Sequence, residues 1–184
     1  MAIVIGVVVA LIIISILIYI AIRNGIIGAR NRCDEAWSGI DVQLKRRHDL
    51  VPNLVETVKG YATHERATFE AVTAARTAAI NAQGPVQQAQ AENALTAALR
   101  SVFAVAEAYP QLQASRNFSE LQGELSDTEN RIAYSRQYYN DAVLTYNSAA
   151  QTVPTNIVAG MFGFAVRQFF TAPESERGPV RVQF

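Results

Sequence analysis

Residues 117–153 read NFSELQGELSDTENRIAYSRQYYNDAVLTYNSAAQTV, and one line drawn through them decides the fold. Phe118, Leu121, Leu125, Thr128, Ile132, Ser135, Tyr139, Ala142, Tyr146, Ala149 and Val153 follow in steps of three and four without a break. That spacing keeps them on one helix face and is the heptad of helices packed in a left-handed bundle. Phe118, Leu125, Ile132, Tyr139, Tyr146 and Val153 form a mostly large row, whereas after Leu121 the other row is small: Thr128, Ser135, Ala142 and Ala149. Alternating large and small layers let a neighbouring helix approach and interdigitate. Asn117 with Glu120 resembles a capping box at the start. A helix over 117–151 would run about 50 Å, so the pattern predicts an elongated bundle of long helices.

Helix signals also dominate upstream. Cys33, Trp37, Ile40 and Leu44 stand at helical spacing over 30–49. Pro52 is compatible with a kink or with a fresh helix capped by Asp49. The next helix is predicted to reach about Ala82 on a face of Val51, Leu54, Val55, Val58, Tyr61, Ala62, Phe69 and Val72. Gly84-Pro85 ends it and opens a third helix to Tyr109, where Leu95, Leu99, Val102, Phe103 and Ala106 face inward and Pro110 stops the run. After Pro154 comes an apolar, aromatic tail with Phe162, Phe164, Phe169 and Phe170, a polar stretch, and a short alternating run ending on Phe184. Such a tail is too apolar for water, so it must cover the bundle, touch lipid or dock on another copy.

The segment 2–22 is apolar except for Gly6, Ser15 and the phenol of Tyr19. Its residues rise to roughly 30 Å as a helix, the hydrocarbon thickness of a bilayer. No Lys or Arg precedes it and no small-residue cleavage site follows, which argues for an anchor over a signal peptide. Arg23, Arg30 and Arg32 follow closely, then Lys45, Arg46 and Arg47. The positive-inside rule then expects the N-terminus outside and the main domain in the cytoplasm. Ala2, Gly6 and Ala10 share one face at a spacing that lets transmembrane helices pack closely. The expected layout is an anchor at 1–22, a cytoplasmic bundle at 23–153 and a tail at 154–184.

Chemistry is sparse. Lys plus Arg equal Asp plus Glu at 16 each, so the chain is formally neutral and unsuited to nucleic acid. The one cysteine, Cys33, cannot form an internal disulfide. His48 and His64 stand too far apart for a helical metal pair, and no nucleophile elbow or phosphate-binding glycine loop is present. Arg46, Arg47, His48 and Asp49 read as a polar cluster at a helix end, and Glu129, Asn130 and Arg131 as charges beside the heptad seam. With Glu107, these are the residues offered for an interaction or structural polar cluster. No catalytic residue, metal or cofactor is expected.

Several stretches carry a resemblance: Arg32-Cys33-Asp34-Glu35-Ala36-Trp37, the run from Asp41 through Lys45-Arg46-Arg47-His48-Asp49-Leu50-Val51-Pro52-Asn53-Leu54-Val55, and Lys59-Gly60-Tyr61. So do Ala104-Val105-Ala106-Glu107-Ala108-Tyr109-Pro110, Asn117-Phe118, Thr128-Glu129-Asn130-Arg131-Ile132-Ala133, Tyr139-Asn140, Tyr146-Asn147, Phe162-Gly163-Phe164 and the closing Pro179-Val180-Arg181-Val182-Gln183-Phe184. In order along nearly the whole chain, they resemble the LemA family. Cys33 departs from that pattern, where valine is expected, and reads as a small apolar substitute. The resemblance implies a bacterial membrane protein with one N-terminal transmembrane segment and a helical domain, and it implies no reaction. It also implies an association with membrane metalloproteases or TPM-domain proteins. The combined expectation is a non-enzymatic, homo-oligomeric scaffold in the cell membrane, in contact with the lipid bilayer. The alternative is an adaptor or regulator of a membrane protease or other envelope protein.

Overall fold

Helices make up every regular element in the computed structural model, which describes residues 1–170. In chain order they are α1 (Ala2–Lys59), α2 (Arg66–Asn81), α3 (Gly84–Glu107), α4 (Pro110–Gln113), α5 (Arg116–Gln151) and α6 (Thr155–Met161). The all-α helical bundle is the fold the heptad predicts. The run ending on Phe184 lies outside the described residues.

The chain divides into two units, to both of which α1 and α5 contribute. The first comprises Met1–Ser38 and Tyr138–Arg167. Every residue from 1 to 18 is exposed, whereas Ile26, Ala29, Cys33 and Ala36 of α1 are buried, as are Tyr139, Val143, Tyr146 and Ala150 of α5. On α5 the buried line holds to the predicted seam at Phe118, Leu125, Thr128, Ile132, Tyr139 and Tyr146, with Leu121 and Ser135 half-buried, and beyond Tyr139 the small row moves one residue along. Val143 and Ala150 are buried, while Ala142 and Ala149 are half-buried and Val153 is exposed. An α-helix drifts against a strict seven-residue repeat, so the inward face shifts over successive heptads.

The second unit comprises Gly39–Gln137 with the described residues from Gln168 to Phe170. Its core gathers Val51, Leu54 and Val58 of α1, Phe69 and Val72 of α2, and Leu95, Leu99 and Val102 of α3, with Leu112, Phe118 and Leu125. Of the two readings open at Pro52, a fresh helix capped by Asp49 is not what forms: α1 continues through the proline to Lys59. One boundary differs from expectation, since the helix expected to run to Ala82 is interrupted after Lys59. The N–H groups of Tyr61 and Ala62 both donate to the carbonyl of Val58, which closes α1 before α2 begins at Arg66. At the other end of α2, Gly84 adopts φ +77°, a left-handed conformation that glycine enters freely, and Pro85 sits in the first turn of α3. Asn117 does not cap α5, which starts one residue earlier, and Glu120 accepts instead from Arg116.

Pro52 explains why α1 need not stop. Proline lacks the N–H that would bond the carbonyl four residues back, which is that of His48. Arg76 of α2 supplies the missing donor, its Nε lying 2.7 Å from that oxygen. The break in the ladder is thereby satisfied from a neighbouring helix. Arg76→Leu should destabilise the protein by about 1–3 kcal/mol, because it leaves a half-buried carbonyl without a donor. In a Pro52→Ala background the same replacement should cost measurably less, since the helix again supplies the N–H; a urea-unfolding cycle in mild detergent checks the difference.

Candidate functional site

The inward face of α1 runs Ile40, Leu44, Arg47, Val51, Leu54, Val58 in steps of three and four. Arg47 thus occupies a core position, and it is 2% exposed. On α3 the buried line Gln88, Ala89, Glu92, Leu95, Leu99 likewise carries a charge, at Glu92. The two meet. Arg47 Nη1 lies 2.8 Å from Glu92 Oε2, and Nη2 lies 2.6 Å from Thr96 Oγ1 and 2.5 Å from Glu129 Oε1 of α5. Glu92 Oε1 accepts from His48 Nε2 at 2.7 Å and from Gln88 Nε2 at 2.9 Å. An ionised carboxylate only accepts, so His48 carries a proton on Nε2. Gln88 also donates to the carbonyl of Ala79, and Thr96 to that of Glu92, at 3.0 Å each. One guanidinium therefore ties α1, α3 and α5 together, with α2 joined through Gln88 and Arg76. Arg47 Nε alone is buried without an acceptor among the described residues.

Of the residues singled out by sequence, Arg47, His48 and Glu129 meet in this network. They sit in mid-helix, not at the helix end expected for the Arg46-Arg47-His48-Asp49 run. Arg46 and Asp49 point to solvent, Arg46 in a loose pair with Glu124 at 3.8 Å. Glu107 is exposed as the last residue of α3, and Asn130 and Arg131 line a shallow groove with Gln43, Asp127, Tyr134 and Ser135. The sequence reading missed Glu92, Gln88, Thr96 and Arg76. Their signal was available at Glu92, a charge on the apolar stripe of α3.

The first unit holds a second polar cluster. Asn147 donates from Nδ2 to the carbonyl of Arg167 at 2.9 Å, and its Oδ1 accepts from the Arg167 N–H at 2.8 Å. Tyr146 donates to the carbonyl of Ala165, and Arg167 pairs with Asp34 at 2.6 Å. Gly163, at φ +68°, makes the turn that sends the chain back along α5. Phe162 lies half-exposed against Tyr19 and Arg23, Phe164 is half-buried, and in the second unit Phe169 is exposed and Phe170 buried. Of the small residues in the anchor, Ala2, Gly6 and Ala10 are all exposed. Burial pushes the Cys33 thiol above its ordinary value, with Arg167 opposing, and burial does the same to the Tyr139 phenol. For Arg167, burial disfavours the charge, but the hydrogen bond and charge of Asp34 outweigh it and raise the guanidinium.

Glu92 holds three contacts, from Arg47, His48 and Gln88, all within the network. No cluster of three His, Cys, Asp or Glu able to hold a metal occurs among the described residues. Fold and network define a class: helical bundles behind an apolar N-terminal helix of membrane-crossing length. The sequence profile of the LemA family matches residues 36–184, and the chain belongs to that family. It is 27% identical over 164 residues to Protein LemA of Metamycoplasma hominis, covering 87% of this chain and 74% of that protein. It is also 27% identical to magnetosome protein MamQ 2 of Paramagnetospirillum magneticum, over 78% of this chain and 62% of that protein. Magnetosome protein MamQ of Magnetospirillum gryphiswaldense is 26% identical, with 72% and 58% covered. The chain thus spans less than two thirds of the MamQ proteins.

Two outcomes follow from the geometry. Glu92→Leu removes the buried partner of Arg47, leaving Glu129 as its one carboxylate among the described residues, and should cost about 3–5 kcal/mol, whereas Arg47→Met with Glu92→Leu should restore much of that loss. Urea unfolding of both variants measures it, and a double variant as unstable as the single one contradicts the assignment. Cys33 and Tyr139 keep protons in the folded state that the unfolded chain releases, so stability is full below the ordinary thiol value and falls as pH rises toward the raised one. Cys33→Ala should flatten that alkaline fall; thermal melts across the alkaline range check it.

Proposed function

We propose that the chain is a non-enzymatic, single-pass protein of the bacterial cell membrane that self-assembles as a structural scaffold, its main domain on the cytoplasmic side. One observation carries the reading. Ile3, Val8, Ile13 and Leu17 stay 84%, 49%, 52% and 60% exposed, and no residue before Tyr19 is buried. A contiguous apolar surface of that extent needs lipid or other copies around it. The cations at Arg23, Arg30 and Arg32 support the orientation, and a Cβ placed on Gly6 would meet nothing within 4 Å, which leaves that face open to another helix. None of the matched names denotes a reaction, and the buried network has its donors and acceptors turned on one another. Both points support a structural role.

The second reading is an adaptor for a membrane protease or another envelope protein. It is favoured by the exposed Tyr134 beside the groove of Gln43, Asp127, Asn130 and Arg131, since aromatics beside polar groups suit protein contacts. Native mass spectrometry of the full-length protein released from lipid nanodiscs separates them. A homo-oligomer is the expected result, and a monomer or a mixed complex overturns the scaffold. A reporter fused after Phe184 should be active only inside the cell.

A further inference from the structure

Beside Arg47, within the second unit, a cavity of about 420 Å³ opens between α3 and α5. Leu99, Phe103, Leu125, Ile132 and Phe170 give it apolar walls, and Arg47, Arg100, Arg136, Glu92 and Glu129 give it charge. We propose that this cavity binds an amphiphilic carboxylate with a single medium-length hydrocarbon body.

The size falls in the range of small-molecule sites, and the mixture of apolar walls with a few polar groups is their usual lining. Leu125, Ile132, Leu99 and Phe170 are 2–4% exposed, so the walls are part of the core and not a surface dimple. A hydrocarbon body against them leaves water at the usual gain per area buried.

Charge selects the head. Three arginines face two carboxylates, and Glu92 is fully engaged inside the network, which leaves one positive charge in excess. Neither Arg100 nor Arg136 pairs with a carboxylate among the described residues, and the Arg136 guanidinium is laid over the Phe170 ring at 4.8 Å. A guanidinium fixed on an aromatic face presents its planar fork to a carboxylate in two-pronged geometry. Arg47 Nε adds a buried donor without an acceptor at the inner wall. Glu129, 43% exposed in its side chain, can turn outward to admit the ligand's carboxylate beside Arg47. A cationic amphiphile would meet the excess positive charge, a neutral one would leave the arginines unpaired, and a two-chain phospholipid exceeds the space.

The test uses the full-length protein in nanodiscs, with decanoate labelled at its carboxyl carbon and followed by NMR. The expected result is saturable binding of one decanoate per chain, about tenfold weaker in Arg100→Gln and in Arg136→Gln. Decanol and decyltrimethylammonium should fail to displace it. Ser126→Trp, at an exposed position of the lining, should block the cavity without disturbing the core, and an unchanged melting curve confirms that each variant folds. Uptake equal to that of empty discs, displacement by decanol as effective as by decanoate, or binding untouched by Ser126→Trp and both arginine variants overturns the proposal.

Discussion

A guanidinium on the inward face of α1 constrains everything packed around it. Arg47 is almost wholly buried, and a lone buried charge costs several kcal/mol, so its neighbours must supply acceptors. Glu92 and Thr96 do so from α3 and Glu129 from α5. Each contact demands a particular rotation and height of its helix, whereas Leu against Leu tolerates sliding. Glu92 is held in turn by His48 and Gln88, so the requirement passes from helix to helix. Polar placement of this kind fixes which helix faces meet, and apolar burial by Leu54, Leu95, Val102 and their neighbours supplies the bulk of the stability.

The same rule operates on the backbone. Pro52 removes a donor in the middle of α1 and Arg76 returns one, so a residue that ordinarily ends a helix is absorbed into it. In the first unit the segment after α6 forms no strand or helix, yet Asn147 satisfies both the N–H and the C=O of Arg167. An asparagine side chain there mimics the pairing of a second backbone. The N-terminal part of α1 is the complement: its polar groups close on themselves within the helix, and its side chains ask only for an apolar surrounding.

Periodicity made most of the helices legible. The α5 seam was readable through Phe118, Leu125, Ile132 and Tyr139, and it failed at Ala142 and Ala149 because an ideal heptad does not track a real helix over that length. Pro52 left two readings open, because the donor that lets the helix continue lies on another helix. The interruption after Lys59 was hidden by an apolar face that continues through Ala62 to Phe69. The network itself was half visible. Arg47 and Glu92 each stand where the spacing demands an apolar residue, and two opposite charges on core positions of separate helices are a pairing signal. Treating Arg46, Arg47, His48 and Asp49 as one surface run concealed it. The clasp of Asn147 on Arg167 had no local signature, since it joins residues through tertiary geometry alone.

The central claim is that the Arg47 guanidinium is locked in the core by α3 and α5. Hydrogen exchange of side-chain N–H groups in the protein labelled with nitrogen-15 at arginine tests it directly. The Arg47 guanidinium protons should exchange far more slowly than those of the exposed Arg116. Exchange at Arg47 as fast as at Arg116 would contradict it.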